Sequence, residues 1–292
     1  MDVQLSNGLL MPSPGFGTGA VRGWQADGDE VAEVISEAIQ IGYRHLDTAS
    51  VYGNERSVGH AIRTGGVARE ELFLVTKAWS TEHGYDQILR AFDRSQRRLD
   101  IERVDLYLLH WPVPDLIAES WRAMERLLAE NRVEAIGVSN FRASDLELLL
   151  GSANVPPVCN QIELHPYFTQ PELRAFCRER AIQVVSYSPL GTGSWSNVPK
   201  KSKPVADPVI RAIADAHQVA PAQVILRWNH QHGWVPIPKS EDPGRMRENL
   251  DLEGFMLSNG EMSRIDALDR GKGFNIDPEA AITVNREMSV PA

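Results

Sequence analysis

The sequence is poor in cysteine. Only Cys159 and Cys177 occur in 292 residues, and they show none of the short pair spacings that bind metal or carry out redox chemistry. We predict Cys159 on a strand and Cys177 on a helix, both as buried free thiols, because unpaired cysteine is among the most buried residue types. Neither a disulfide framework nor a cysteine-based metal site is expected.

Long apolar runs and an excess of basic charge are also missing. No run approaches the roughly 20 apolar residues of a membrane span, and residues 1–8 lack the basic start and apolar core of a signal peptide. The net charge of −9 disfavours nucleic acid, whose phosphates attract basic surfaces. The basic cluster at residues 200–203 is either a solvated loop or a flap beside a phosphorylated ligand. We predict a soluble cytoplasmic protein with no membrane or nucleic-acid partner.

What the sequence does contain is a repeat of short aliphatic runs alternating with amphipathic segments. After a predicted hairpin (Val3 to Leu5, a turn at Ser6-Asn7-Gly8, then Leu9 to Met11), strands are predicted near residues 15–17, 44–47, 72–76, 104–109, 133–138, 157–162, 182–187 and 234–237. Strands that alternate with helices pair in parallel, and eight such units match the α/β class and the (β/α)₈ TIM barrel.

An open doubly wound sheet fits less well, because no helix begins after the glycine-rich Gly15 to Gly19. Residues 1–292 are therefore predicted to form one barrel domain. One amphipathic helix follows residue 260, and the short C-terminal tail is expected to act as a lid or a packing extension.

Polar side chains capable of chemistry follow three neighbouring predicted strands. Asp47 ends one strand with Tyr52 five residues later, and Lys77 and His110 end the next two. Barrels bind at the C-terminal ends of their strands, so we expect these four groups at one rim. A nearby ammonium stabilises a phenolate, so Lys77 is expected to lower the pKa of Tyr52 while Asp47 holds Lys77 charged. Such an arrangement suits proton donation to a carbonyl oxygen that His110 orients.

Taken singly, these residues are also explained as a surface lysine, a strand-end histidine and a loop tyrosine. No side chain is an obvious hydride donor, so a bound cofactor is implied. The segment from Lys239 to Asn249 combines cations, a serine and a helix start after the last strand, which suits a phosphate monoester. A charged, exposed helix is the alternative explanation of that segment.

Several stretches together resemble the aldo-keto reductases, and the match covers nearly the whole chain. They are Gly42 to Gly59, Leu109 to Pro112, Glu134 to Phe141, Asn160 to Pro166, and Ile237 to Asn249. The resemblance implies NADPH-dependent reduction of aldehydes and ketones, with NADH as a weaker alternative. It places the catalytic tetrad on Asp47, Tyr52, Lys77 and His110.

The same resemblance implies a complete set of cofactor contacts. Ser139, Asn140 and Gln161 would hold the nicotinamide carboxamide, and Tyr187 would stack on the ring. Ser188 and Leu190 would line the pyrophosphate path under a flap from Gly191 to Lys203. The 2′-phosphate would be bound by Lys239, Ser240 and Arg245, and the adenine would lie towards Glu248 and Asn249.

On the substrate side the sequence departs from many relatives. Gly19 stands where they carry an aromatic residue, so we expect a wider pocket there, with Trp24, Trp79 and Trp111 as its walls. Tyr107 is expected to point away from the pocket if its strand alternates. The short tail after Gly271 resembles compact microbial and plant-type members of the diketogluconate-reductase-like group, which are commonly monomers.

Two other classes of function compete with a reductase. One is a sensor or regulatory subunit that binds NADPH with little turnover, although such a protein needs no proton donor. The other is a metal-dependent barrel hydrolase, for which the sequence lacks a clustered set of carboxylate ligands. No metal site is predicted.

Overall fold

The strands and helices of the computed structural model alternate along the chain. The structure describes residues 2–191, 202–275, 280–281, 285 and 287–291. Its strands are β1 (Asp2–Gln4), β2 (Leu10–Pro12), β3 (Phe16–Gly17), β4 (His45–Asp47), β5 (Phe73–Ala78), β6 (Val104–Leu109), β7 (Val133–Ser139), β8 (Cys159–Glu163), β9 (Gln183–Tyr187) and β10 (Val235–Ile237). The helices are α1 (Asp29–Ile41), α2 (Glu55–Thr64), α3 (Tyr85–Leu99), α4 (Ile117–Ala129), α5 (Ala143–Leu150), α6 (Pro171–Glu179), α7 (Pro208–His217), α8 (Pro221–Gln231), α9 (Pro243–Leu250) and α10 (Asn259–Asp266).

Strands β3 to β10 form the predicted barrel. They pair in chain order, each parallel to the next. Two backbone hydrogen bonds then join the last strand to the first: Gly15 N–H donates to Pro236 O at 2.9 Å and Gly17 N–H to Pro238 O at 3.1 Å. The (β/α)₈ fold expected from the sequence is confirmed.

The N-terminal hairpin is also present, with each strand shifted by one residue. β1 and β2 pair antiparallel with Val3 opposite Met11. β1 covers Asp2–Gln4 where Val3 to Leu5 was predicted, and β2 covers Leu10–Pro12 where Leu9 to Met11 was predicted. Leu5 and Met11 are buried against Phe73, Leu106 and other side chains of the barrel interior. The hairpin therefore closes one end of the barrel with apolar side chains.

Alternation along each strand divides the core into two layers. Leu106 and Leu108 point into the barrel with Val75, whereas Tyr107 and Leu109 belong to the layer between strands and helices. The Tyr107 ring packs edge-on against Phe92 of α3 at 5.0 Å. The expected outward direction of Tyr107 is therefore correct.

The two cysteines are buried and unpaired, as predicted, with Cys159 on β8 and Cys177 on α6. In the described part of the chain, no helix combines the length and apolar character that crossing a bilayer requires.

Candidate active site

Inward-pointing residues at the C-terminal strand ends create the site. In β5, Phe73 and Val75 belong to the barrel interior, and alternation gives Lys77 the same direction. The same spacing turns the following residues inward at the ends of the other strands: Asp47, His110, Ser139, Gln161, Tyr187 and Lys239. The interior is apolar below and polar at this rim.

Lys77 and Asp47 form a buried ion pair. The Lys77 Nζ lies 2.5 Å from Asp47 Oδ1, and the two side chains are 0% and 2% exposed. Lys77 Nζ also donates to the Thr48 carbonyl at 2.9 Å. Burial lowers the pKa of Lys77 and the Asp47 carboxylate opposes that shift. The surface-lysine explanation is therefore wrong, and the expected partnership of Asp47 with Lys77 is present.

Tyr52 lies in the short 3₁₀ turn Ser50–Tyr52 that follows β4. Lys77 Nζ is 5.2 Å from the centre of the Tyr52 ring, and the His110 ring packs edge-on against it at 5.6 Å. Burial raises the pKa of Tyr52, and the Asp47 carboxylate raises it further. The expected lowering by Lys77 is not found, because loss of water around the phenolate and repulsion from Asp47 prevail.

His110 is neutral in this environment. Burial lowers its pKa well below the ordinary value, and the charge of Lys77 lowers it further. Its Nδ1 is buried without a hydrogen-bond partner in the described residues, and the side chain lines the cavity with Asp47 and Tyr52. A neutral imidazole has one N–H, so His110 is able to donate one hydrogen bond without carrying charge.

A hydrogen-bonded group of amides and hydroxyls forms the next sector of the rim. Tyr187 Oη donates to Asn140 Oδ1 at 2.8 Å, and Asn140 Nδ2 donates to Ser139 Oγ and to the His110 carbonyl, both at 3.0 Å. Gln161 Nε2 donates to Asp47 Oδ2 at 2.7 Å. Asn140, Gln161 and Tyr187 line the cavity, whereas Ser139 is fully buried behind them.

The predicted phosphate-binding residues begin at the rim and continue outside it. Lys239 lines the cavity with Ser188 and Leu190, and its ammonium contacts Glu241, which also accepts from the Arg22 backbone N–H at 3.1 Å. Ser240 and Asn249 are buried, while Arg245 and Glu248 are exposed on α9. Residues 192–201 of the expected flap, including Lys200 and Lys201 of the basic cluster, lie outside the described residues.

The cavity at this rim has a volume of about 540 Å³, and all four predicted pocket residues line it. Trp24 packs edge-on against Tyr52 at 5.9 Å, and Trp79 packs edge-on against His110 at 5.0 Å. Trp111 belongs to the same apolar wall. A Cβ added to Gly19 would lie 3.3 Å from the Tyr52 ring, so residue 19 packs directly on the phenol.

The C-terminal tail supplies pocket residues that the sequence did not indicate. Asn275, Asn285 and Met288 line the cavity, and the Trp79 Nε1–H donates to the Asn285 carbonyl at 3.0 Å. Glu163, on the inward face at the end of β8, accepts from Phe274 N–H at 2.7 Å and Asn275 N–H at 3.2 Å. Alternation with Gln161 could have identified Glu163, but no periodicity in the tail predicts these contacts.

Comparison with known proteins decides the family. The family model described as the aldo/keto reductase family matches residues 15–270. The chain belongs to the aldo-keto reductases. Among the described residues of this aldo-keto reductase, no group of three or more His, Cys, Asp or Glu side chains is placed to hold a metal ion.

Similar aldo-keto reductases span the chain almost completely. Morphine 6-dehydrogenase of Pseudomonas putida is 45% identical over 282 residues, covering 94% of each chain. Glyoxal reductase of Bacillus subtilis is 43% identical over 277 residues, covering 95% of this chain and 96% of the relative. The crystal structure of a Bombyx mori aldo-keto reductase in complex with NADP superposes with a TM-score of 0.86 at 34% identity, covering 96% of each chain.

Proposed function

We propose that this aldo-keto reductase reduces an aldehyde or a ketone to an alcohol, with NADPH as its cofactor and Tyr52 as general acid. The observation that carries the proposal is the buried Lys77–Asp47 pair directly beside the Tyr52 ring in the cavity. A phenol, a cation and a neutral imidazole around one space suit protonation of a carbonyl oxygen.

Tyr52 is the proton donor in this proposal. Its raised pKa keeps the phenol protonated near neutral pH, so the donor carries its proton when substrate arrives. As the carbonyl carbon gains a hydride, its oxygen takes the Tyr52 proton and a phenolate remains until solvent returns a proton. The Lys77 ammonium, 5.2 Å from the ring centre, stabilises that phenolate when it forms.

His110 and Asp47 support this step without exchanging the proton. Neutral His110 donates a hydrogen bond to the carbonyl oxygen and orients it, since its lowered pKa leaves it uncharged. Asp47 keeps the Lys77 ammonium in place through the 2.5 Å contact. Charge in the site is thus balanced before the substrate binds.

The residues present fit a nicotinamide. Tyr187 offers an aromatic wall beside the amide side chains of Asn140 and Gln161, which suits a planar ring that bears a carboxamide. When bound, NADPH supplies the hydride that the reduction requires. Ser139 accepts from the Asn140 amide and donates to the Gln161 backbone carbonyl, and Ser188 and Leu190 would continue the binding path.

The preference for NADPH over NADH depends on the end of the site near α9. Lys239, Ser240 and Arg245 would hold the 2′-phosphate near the start of that helix, with Glu248 and Asn249 towards the adenine. Glu241 neutralises Lys239, so it would have to move away from the ammonium or share it with the phosphate. The Bombyx mori relative forms a complex with NADP, which supports this assignment.

The test is Tyr52→Phe, with Tyr107→Phe as the matched control. Loss of a general acid lowers turnover about 10²- to 10⁴-fold, and we expect that loss in kcat for a panel of aldehydes, followed by NADPH absorbance. NADPH affinity, measured by quenching of tryptophan fluorescence, should change little. Tyr107 is buried outside the cavity, and its hydroxyl has no hydrogen-bond partner among the described residues, so its phenylalanine variant should retain activity.

Two outcomes contradict the proposal in different ways. Full turnover by Tyr52→Phe would remove Tyr52 from the role of acid. Tight NADPH binding by the wild type without turnover of any aldehyde or ketone would favour the sensor or regulatory alternative.

We also propose that the protein is a single-domain, cytoplasmic monomer. The large apolar side chains exposed on its described surface are Leu10 on β2, Leu148 on α5 and Met256 in the loop between α9 and α10, and their separation in the sequence supports the absence of an extended apolar interface.

A further inference from the structure

Glu82 is a buried carboxylate beside the active site rather than in it. It ends the 3₁₀ turn Ser80–Glu82 that follows β5, it is 4% exposed, and it is not among the described residues that line the cavity. Its Oε1 accepts from Arg94 Nη2 at 2.8 Å. Its Oε2 accepts from Ser50 Oγ at 2.6 Å and from the Trp79 backbone N–H at 2.9 Å. The reduction proposed above uses none of these contacts.

The two contacts of Oε2 join the segments that carry the proton donor and the ammonium. Ser50 begins the 3₁₀ turn whose last residue is Tyr52. Trp79 follows β5 directly, two residues after Lys77. These segments belong to different βα loops, so the 5.2 Å between Lys77 Nζ and the centre of the Tyr52 ring depends on how the two loops are placed relative to each other. Glu82 bonds to both loops.

An ion pair that only stabilised the fold would not require this arrangement. Arg94 lies on α3 and is 40% exposed, and its ion pair is with Oε1. The other oxygen is turned inward to Ser50, which is 1% exposed. Hydrogen bonds to a carboxylate are shorter and stronger than those between neutral groups, so this contact restricts the Ser50 turn more than a neutral partner would.

We propose that Glu82 is a positioning residue of the reduction. Through Ser50 it holds the turn that presents the Tyr52 hydroxyl, and through the Trp79 N–H it aligns that turn with the strand end that carries Lys77. The inference rests on the proposed function, in which Tyr52 protonates the carbonyl oxygen. Proton transfer requires the donor within hydrogen-bond reach of the acceptor, so loss of the Ser50 contact slows the chemical step and leaves NADPH binding intact.

The experiment combines each contact with the donor that it positions. Ser50→Ala removes one hydroxyl and leaves the Arg94 and Trp79 contacts, whereas Glu82→Gln keeps the shape of the side chain without its charge. Each substitution is made in the full-length wild type and in Tyr52→Phe, and kcat, KM and the solvent deuterium isotope effect are measured with one aldehyde by NADPH absorbance. Quenching of tryptophan fluorescence gives the NADPH affinity, and the melting temperature reports stability.

Asp145→Asn is the matched control. Asp145 is 5% exposed and pairs with Arg142, which is 39% exposed, and it also accepts from the Arg142 backbone N–H at 3.0 Å. The corresponding exposures of Glu82 and Arg94 are 4% and 40%. Asp145 lies in the first turn of α5, away from the Tyr52 turn, so its substitution tests the loss of a similar ion pair without a link to the proton donor.

We expect Ser50→Ala and Glu82→Gln to lower kcat about 10- to 100-fold, because a misplacement of about 1 Å costs up to about 100-fold in rate. The solvent isotope effect on kcat should increase, since transfer of the Tyr52 proton becomes more rate-limiting. In the Tyr52→Phe background neither substitution should lower the residual turnover further, because no hydroxyl remains to be positioned. Asp145→Asn should retain the wild-type kcat and isotope effect even where its melting temperature falls as far.

Several results would overturn the inference. Equal fractional losses of kcat in the wild-type and Tyr52→Phe backgrounds would show that Glu82 acts on the fold or on another step. An unchanged kcat and isotope effect in Ser50→Ala would exclude the positioning role even if Glu82→Gln does not fold. A fall in NADPH affinity that accounts for the lost turnover would assign the carboxylate to cofactor binding. Full turnover by Tyr52→Phe would refute the proposed function itself, and the positioning role with it.

Discussion

Replacing Asp47 with asparagine would leave the Lys77 ammonium buried without a counter-charge. The two side chains are 0% and 2% exposed and in contact at 2.5 Å, and among the described residues Lys77 would keep its hydrogen bond to the Thr48 carbonyl at 2.9 Å. Breaking a buried pair by removing one partner costs about 3–5 kcal/mol. Gln161 also donates to the second Asp47 oxygen, and asparagine cannot accept there while its remaining oxygen faces Lys77.

This cost should be visible as a lower melting temperature and should depend on pH. For a chain of this length the unfolding entropy converts 3–5 kcal/mol into a decrease of roughly 5–8 °C. Burial lowers the pKa of Lys77 and Asp47 opposes this, so the folded-state pKa falls further in the variant. Between that pKa and the ordinary value of 10.5, the unfolded chain binds more protons, and stability rises with pH. The deficit relative to wild type should therefore shrink as pH rises through the lowered folded-state pKa of Lys77 in the variant.

Urea denaturation followed by far-UV circular dichroism at several pH values is the assay. Asp100→Asn is the matched control, because its ion pair with Arg63 spans 3.2 Å between side chains that are 45% and 73% exposed. Such an exposed pair should leave the free energy of unfolding unchanged within error. Equal losses in the two variants, or an Asp47→Asn deficit that is constant with pH, would refute the account of a buried charge pair.

Two further predictions concern the packing of α2 and the attachment of the tail. Gly59→Ala should lower the free energy of unfolding by about 1–3 kcal/mol or more through overpacking, because the added Cβ would lie 2.1 Å from the Leu99 carbonyl oxygen. Gly260→Ala on α10 is the control and should be neutral or stabilising, since the nearest atom to its Cβ would be 4.0 Å away. Equal urea midpoints for the two variants would disprove the clash at Gly59. Glu163→Gln should expose the tail to trypsin near Arg270 and Lys272, since the carboxylate accepts hydrogen bonds from the Phe274 and Asn275 backbone amides. Mass spectrometry of the fragments measures the cleavage, with Glu179→Gln as the control variant. Burial opposes ionisation of Glu163, but hydrogen bonds from His165 and the Phe274 amide outweigh it and lower the pKa of the carboxyl group. In the wild type the tail should therefore stay bound to Glu163 above the ordinary value of 4.5 and be released as pH falls through the lowered folded-state pKa. A tail that is equally protected at all pH values would contradict this.

Much of the rim was predictable because it depends on local order. Alternation along a strand, together with parallel pairing, brings Asp47, Lys77 and His110 to one end of the barrel without knowledge of any long-range contact. The walls formed by Trp79 and Trp111 were expected from the resemblance to the aldo-keto reductases and do not follow from this rule.

The electrostatics of the site were less predictable. Lys77 was expected to lower the pKa of Tyr52, yet burial and Asp47 raise it. Residue types indicate which charged groups lie in the same site. The direction of a pKa shift depends also on how much water the fold removes from the group and on which charge is nearer to it.

The sequence by itself determined the eight-unit repeat, the strand ends and the residue types at the rim, because these are encoded by period and by short segments. Only the tertiary structure decided what covers the rim. Contacts such as Glu163 to Phe274 and Trp79 to Asn285 join residues 111 and 206 positions apart. Since such contacts depend on the closed barrel bringing distant segments together, no local pattern could show which residues of the tail become a wall of the pocket.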